Sequence, residues 1–345
     1  MHTMYSDPRN LLVIHIAGIG ETMLALPALR SLRQHLPHAR ITVATSPASA
    51  ELVELSGCAN ETLVIGRLRR GEVAGPRAMY ASVKALREAS HHTYDLAIEM
   101  KPGAEAAVLM NFARPLHRLN SARKGLHSVI GLLANVFAPS AARMNHQAQR
   151  YLEILEPLGV RPVEAAPRLR TDHEADARID KLLRKKGLLA GELLVGIHPG
   201  AGSANKRWPA ERFASIAARF IHNFNARVIL FAGPRERGLA RRILKSLPKE
   251  RVVLLESPKA VDFVSALARL SLFIGNHSGP AQVAAATGAP VVVISPGSGP
   301  TAYDLLGKNT SHVRGPAAEA IPEEAVYEAA CLLLQSSRAE SLIAL

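Results

Sequence analysis

The chain has 345 residues, 48% of them hydrophobic and 21% charged, which excludes a disordered polypeptide and suits two α/β domains of ordinary size. Its 42 lysines and arginines against 29 acids leave a formal net charge of +13, which either favours a polyanionic partner or simply serves solubility. Aromatic residues, at 4%, are too sparse for the stacking platforms that hold single-stranded nucleic acid, so no nucleic-acid partner is expected. The two cysteines, Cys58 and Cys331, have neither disulfide-framework nor zinc spacing, which fits a reducing compartment. The N-terminus lacks a signal-peptide core and the apolar runs are strand-sized. A cytoplasmic protein is expected, free or loosely attached to a membrane face.

In chain order, residues 11–16 (LLVIHI) form a short apolar run closed by Ala17-Gly18-Ile19-Gly20, a buried parallel strand and its turn. A helical pattern follows to about residue 36, with Leu26, Leu29, Leu32 and Leu36 on one face and Pro27 as a late start or kink. Strands are predicted at 41–44, 63–65 and 96–98, with a helix over 79–88. Residues 114–150 read as irregular and rich in Arg, Lys and His. Within them 129–138 (VIGLLANVFA) reads as a buried helix or, less simply, a lipid-facing one. A helix is predicted over 147–158, and 159–170, with its two prolines, reads as a linker. The boundary is set at 170, giving domains 1–170 and 171–345.

The second half restarts the alternation, with strands at 193–198, 227–231, 272–274 and, last, 291–294, and a closing helix over 323–335. The fold class is α/β: two Rossmann-like domains with parallel sheets, whose strand ends are expected to face an interdomain cleft.

Four turns carry chemistry. Gly18-Ile19-Gly20-Glu21 opens like a dinucleotide fingerprint but lacks the third glycine, and no P-loop occurs anywhere. Glu21, at a helix mouth after a strand, is either a general base held ionised by the helix terminus or a plain helix-terminal acid. In His198-Pro199-Gly200-Ala201-Gly202-Ser203-Ala204-Asn205-Lys206, loop amides and Lys206 form a phosphate cradle or only a basic surface turn. In Gly275-Asn276-His277-Ser278-Gly279-Pro280, Ser278 can cap the next helix while its first amides face a phosphate, or the segment is merely a tight turn. Glu236 sits at another strand end, to hold ribose hydroxyls or to begin a helix. The 14 histidines show no paired ligand spacing, so no metal is expected.

Taken together these motifs resemble the lipopolysaccharide heptosyltransferases, glycosyltransferases of GT-B architecture. LLVIHIAGIGETMLALPALRSLRQHLPHARITV resembles that family's N-terminal signature, HPGAGSANKRWPAERFASIA its nucleotide motif, FAGPRERGLARRI the one after it, and LFIGNHSGPAQVAAATGAPVVVIS its C-terminal Gly-rich signature. The resemblance implies an inverting, metal-independent transfer with no cofactor, from a nucleotide sugar such as ADP-heptose to an anionic, lipid-linked saccharide on the cytoplasmic face of the inner membrane. It implies catalytic roles for Glu21 and Lys206. Gly200, Ala201, Ser203, Lys206, Glu236, His277, Ser278 and Gly279 would bind the donor. Gly20, Lys101, Arg118, Arg123 and Lys124, with Arg114 nearby, would meet the acceptor. This chain departs from the family's pattern in having Glu21 for aspartate, His277 for aspartate, Gln282 for histidine and His15 for arginine. A rival reading is a non-catalytic or differently specific relative that binds a nucleotide sugar or glycan.

Overall fold

The structure, a computed structural model, describes residues 8–66, 80, 82, 84, 85, 87, 88, 93–120, 136, 137, 146–162, 166–188, 191–307 and 309–343. Two compact units divide the chain, Met1–Pro167 and Arg168–Leu345. Arg123, Lys124 and most of the apolar stretch 129–138 lie outside the described residues; so do 79, 81, 83 and 86 of the helix predicted over 79–88, whose other residues are helical.

Unit 1 contains β1 (Asn10–His15), α1 (Ile19–His35), β2 (Arg40–Thr45), α2 (Ala50–Leu55), β3 (Glu61–Val64), β4 (Leu96–Glu99), α3 (Ala104–Ala113), β5 (His117–Asn120), β6 (Val136–Phe137) and α4 (Gln147–Glu153). The six strands form one parallel sheet in the order β3-β2-β1-β4-β5-β6. β1 is buried from Leu11 to His15 because helices cover both faces of a parallel sheet, which is why its sequence is continuously apolar rather than alternating. α1 runs on through Pro27, whose missing amide leaves the Met23 carbonyl without its usual intrahelical donor.

Two expectations are corrected here. Residues 114–150 are not irregular throughout, since β5 and β6 continue the sheet; β5 reads HRLN, and its one fully buried apolar residue, Leu119, is too weak a signal by itself. The helix predicted over 147–158 stops at Glu153 and gives way to a 3₁₀ turn, Glu156–Leu158. Pro157 has no amide to offer the Glu153 carbonyl, and Gly159 ends the turn at φ 73°.

Unit 2 contains α5 (His173–Lys185), β7 (Leu194–His198), α6 (Ala210–Phe224), β8 (Arg227–Ala232), α7 (Arg237–Leu244), β9 (Val252–Glu256), α8 (Ala260–Leu267), β10 (Leu272–Asn276), α9 (Gly279–Ala286), β11 (Val291–Pro296), β12 (Thr310–Gly315) and α10 (Glu323–Ile343). Its sheet is again six-stranded and parallel, in the order β12-β11-β10-β7-β8-β9. β11 is not the last strand as expected; β12 follows, an edge strand of sequence TSHVRG that is half-buried along its whole length and so lacks the apolar run. α6 buries Phe213, Ile216, Ala217 and Phe220, the i, i+3, i+4, i+7 stripe of an amphipathic helix, against a core that includes Trp208. The Trp208 ring meets Phe213 edge-on at 5.0 Å, and its indole N–H donates to the Ile321 carbonyl at 3.0 Å.

The two sheets share one plan. The first strand of each unit is central, the next two build outward on one side and the following three on the other. The order therefore reverses between β1 and β4, and again between β7 and β10. At such a reversal the loops leaving adjacent strands diverge and open a crevice at the carboxyl ends, where ligands of open α/β sheets bind.

Candidate functional site at the strand reversals

In unit 1, β1 leads through Ala17 and Gly18 into α1, with Gly20 and Glu21 in the first turn. The Thr22 hydroxyl donates to the Gly18 carbonyl at 3.1 Å and lies in hydrogen-bond contact with the Ser49 hydroxyl at 3.0 Å, tying that turn to the next loop. Across the reversal, the Met100 amide donates to the Ile14 carbonyl at 3.0 Å, so the residues after β1 and β4 run side by side. This brings Lys101 onto Glu21: Nζ donates to Oε2 in an ion pair whose side chains are each 27% exposed. Lys101, expected at the acceptor, thus touches the carboxylate expected to act as base.

His15, the last residue of β1, lies beneath this pair. It is 1% exposed, edge-on to Tyr151 at 5.2 Å, and neither ring nitrogen has a hydrogen-bond partner among the described residues. Burial, helped by the charge of Lys101, pushes its pKa down to about 3, so the ring is neutral. Glu99, closing β4, is 5% exposed, and burial raises its carboxyl to about 7 against the pull of the Gly103 backbone. Of the other residues expected at the acceptor, Arg118 is half-buried in β5 beside Ala97, and Arg114 ends α3 in a left-handed conformation at φ 43°.

In unit 2 the organising residue is Asn276, fully buried at the end of β10. Its Oδ1 accepts from the Trp208 amide at 2.9 Å, and its Nδ2 donates to the carbonyls of Pro199 at 2.8 Å and Gly200 at 3.3 Å. Both ends of the loop after β7 are thereby pinned to the strand across the reversal. Gly200 is required where it stands, because a Cβ there would lie 2.6 Å from the His198 ring and 2.7 Å from Glu236 Cγ. Ala201 is half-buried, while Ser203 and Lys206 are exposed; Ser203 Oγ donates to Asn205 Oδ1 at 2.6 Å. Lys206 ends a 3₁₀ turn, Ala204–Lys206, and presents its ammonium to solvent. Glu236 stands at the start of α7, and its Oε2 accepts from the Gly233 amide at 3.1 Å.

Ser278 precedes α9 as expected, but the predicted cap is corrected: its hydroxyl takes no helix amide, and its buried Oγ has no partner among the described residues. The ψ of 169° at Ser278 belongs to an extended N-cap, so the position is right and only the side-chain bond is missing. Gly279 and Pro280 form the first turn of α9. His277 Nε2 donates to the Tyr303 carbonyl at 2.9 Å, and Gln282 Nε2 donates to the same oxygen at 2.7 Å. Asp304 lies 3.8 Å from His277 and accepts from Arg314 Nη2 at 2.6 Å. Burial lowers the His277 pKa; the Tyr303 carbonyl and Asp304 oppose that, while Lys206 and Arg314 add to it. The first reversal brings Glu21 and Lys101 together, while Arg118 lies within β5; in unit 2 Gly200 lies against Glu236, and Lys206 is close enough to His277 to act on its charge. Sequence reasoning passed over Asn276, Glu99, Tyr303, Asp304 and Arg314. Asn276 and Glu99 left a signal, a single polar residue closing an otherwise apolar strand. Among the described residues, no three His, Cys, Asp or Glu side chains group so as to hold a metal ion.

Residues 79–329 match the profile of glycosyltransferase family 9 (heptosyltransferase). The chain belongs to this family. Lipooligosaccharide heptosyltransferase 2 of Campylobacter jejuni is 24% identical over 301 residues, 84% of this chain and 81% of that protein. A more local match, 28% identical over 113 residues, spans 32% of this chain and only 33% of a Haemophilus influenzae glycosyltransferase. Among solved structures, a family 9 glycosyltransferase of Veillonella parvula superposes with a TM-score of 0.85 at 21% identity, covering 97% of this chain and 99% of that one. ADP-heptose lipopolysaccharide heptosyltransferase II of Escherichia coli gives 0.78 at 20% identity, covering 95% and 99%. This family 9 glycosyltransferase thus shares the GT-B fold of those enzymes. Among its described residues no helix is long and apolar enough to cross a membrane.

Proposed function

We propose that the chain transfers heptose from ADP-heptose, with inversion, to a lipopolysaccharide-core or related saccharide at the cytoplasmic face of the inner membrane, which it meets as a peripheral protein. In this reading residues 1–170 bind the anionic acceptor and 171–345 the donor. The observation that carries it is the cradle at the second reversal. Asn276 holds a glycine-rich loop whose exposed Lys206 acts electrostatically on His277, in the turn that leads into α9, a natural place for a diphosphate. The E. coli neighbour, whose name specifies ADP-heptose, and the heptosyltransferase from C. jejuni supply the sugar.

Glu21 takes the proton of the acceptor hydroxyl, whose oxygen attacks the anomeric carbon. The bond from that carbon to the diphosphate oxygen breaks as the new glycosidic bond forms, and ADP leaves with its charge met by Lys206 and the α9 amides. Glu236 holds the ribose. No step calls on a metal or a cofactor.

The test is transfer from ADP-heptose to a truncated, phosphorylated core acceptor under single-turnover conditions. Glu21→Gln keeps size and polarity but takes no proton, so its rate should fall by about 10²–10⁴-fold while ADP-heptose affinity holds. Full activity in that variant removes Glu21 as the base. Binding of ADP-heptose by the wild type without transfer to any core acceptor removes the proposed reaction.

A further inference from the structure

We propose that Lys101 is the positioning residue of Glu21, acting on the reaction through that carboxylate rather than as an independent anchor for the acceptor. The inference rests on the reading of Glu21 as the base. Glu21 is a four-bond side chain on the open edge of a helix turn, and nothing in α1 itself restrains it: the turn begins at Gly18, which offers no side chain, and Thr22 turns instead to Gly18 and Ser49. Lys101 is the one cation that touches the Glu21 carboxylate among the described residues. It arrives there by sheet register, not by chance of a long side chain. Ile14 pairs with Glu99, the Met100 amide closes the ladder on the Ile14 carbonyl, and the next residue along is Lys101.

The surroundings leave this task to Lys101. His15 beneath the pair is buried and neutral, so it supplies no countercharge. With both side chains 27% exposed, the pair is sheltered enough to hold a geometry and open enough for an acceptor hydroxyl to reach the other carboxylate oxygen. An ammonium has three donors, and one suffices for Oε2. A base misplaced by about 1 Å loses roughly a hundredfold in rate.

The experiment is a double-mutant cycle on transfer, with Lys101→Met, Lys101→Arg, Glu21→Gln and the Glu21→Gln/Lys101→Met pair. Lys101→Met should lower kcat roughly a hundredfold with acceptor KM and ADP affinity nearly unchanged. Lys101→Arg, which can still donate to Oε2, should recover most of that loss. In the Glu21→Gln background, Lys101→Met should cost no more than about twofold, because the group it acts through is gone. Losses that multiply in the double variant, or a rise in acceptor KM alone, overturn the proposal and return Lys101 to acceptor binding. If the wild type transfers no heptose, the proposed reaction falls separately. Crystal structures of Lys101→Met and Lys101→Arg then decide the positioning role: a Glu21 carboxylate displaced in the first and restored in the second supports it, and one left in place in both overturns it.

Discussion

Replacing Asn276 with aspartate changes one atom and strikes the point on which the unit 2 cradle turns. Asn276 is fully buried and spends its amide on three backbone groups, accepting from the Trp208 N–H and donating to the carbonyls of Pro199 and Gly200. In Asn276→Asp the acceptor survives. The donor becomes an oxygen facing two carbonyls at the places now 2.8 and 3.3 Å away. Both carbonyls lose their partner, and a buried carboxylate is left facing them. A buried charge stranded in this way costs about 3–5 kcal/mol. The glycine-rich loop from 200 to 206 can escape that strain by swinging outward, because residues 202–206 are already exposed. Escape would carry Lys206 away from α9, so ADP affinity should fall at least about tenfold, or 1.4 kcal/mol. The chain has one tryptophan, Trp208, which is 1% exposed in the unit 2 core, so its fluorescence reports urea unfolding of that unit directly. Calorimetry with ADP reads the cradle. An Asn276→Asp protein with wild-type urea midpoint and wild-type ADP affinity would refute the pinning argument. Asn276→Leu should resemble the aspartate in ADP affinity while sparing the charge penalty.

Lys206→Ala should weaken ADP by about ten- to a hundredfold, the worth of one charge-assisted contact, and leave the Trp208 unfolding midpoint unmoved because the side chain is exposed; equal ADP affinity by calorimetry would remove Lys206 from the phosphate site. Glu99→Gln should become progressively more stable than the wild type as pH rises from about 4.5 to 7. The Glu99 carboxyl is raised to about 7, so the folded state holds a proton there that the unfolded chain has already released, and wild-type stability drains away across that window by up to about 3 kcal/mol. Urea unfolding of both proteins at pH 4.5 and 7, followed by circular dichroism, measures the difference, and a pH-independent gap would contradict it.

The central strands were legible because burial on both faces demands an unbroken apolar run, and β1, β7, β10 and β11 all have one. The glycine-rich turns were legible for a related reason: at Gly200 a side chain would collide with His198 and Glu236, so composition betrays the close approach. β5 and β12 were not legible. They lie toward the sheet margins, and their sequences, HRLN and TSHVRG, carry too little apolar surface to register as strands. The partnership of Glu21 with Lys101 could not be read from the chain at all. The two residues are 80 positions apart, and only the pairing of β1 with β4 brings them together. The same holds for His277, whose bond to the Tyr303 carbonyl depends on a loop 26 residues on. Strand type is local information; a site built across a strand reversal is not.

The common plan of the two units reaches down to a single position. His15 and His198 each end the first strand of their unit, each is buried, and each has at least one ring nitrogen without a partner among the described residues. Burial holds the pKa of His15 at about 3 and that of His198 at about 4. Both rings are therefore neutral through the pH range in which an enzyme works. A charged imidazole at either place would sit under the carboxylate proposed as base in one unit and under the loop proposed to hold the diphosphate in the other. Under Glu21 it would compete with Lys101 for the carboxylate; under the loop after β7 it would add an attraction for phosphate in the resting site that persists after the leaving group must depart. Because desolvation keeps both rings uncharged, neither adds a charge beneath Glu21 and Lys101 in the first unit or beneath the loop that carries Lys206 in the second.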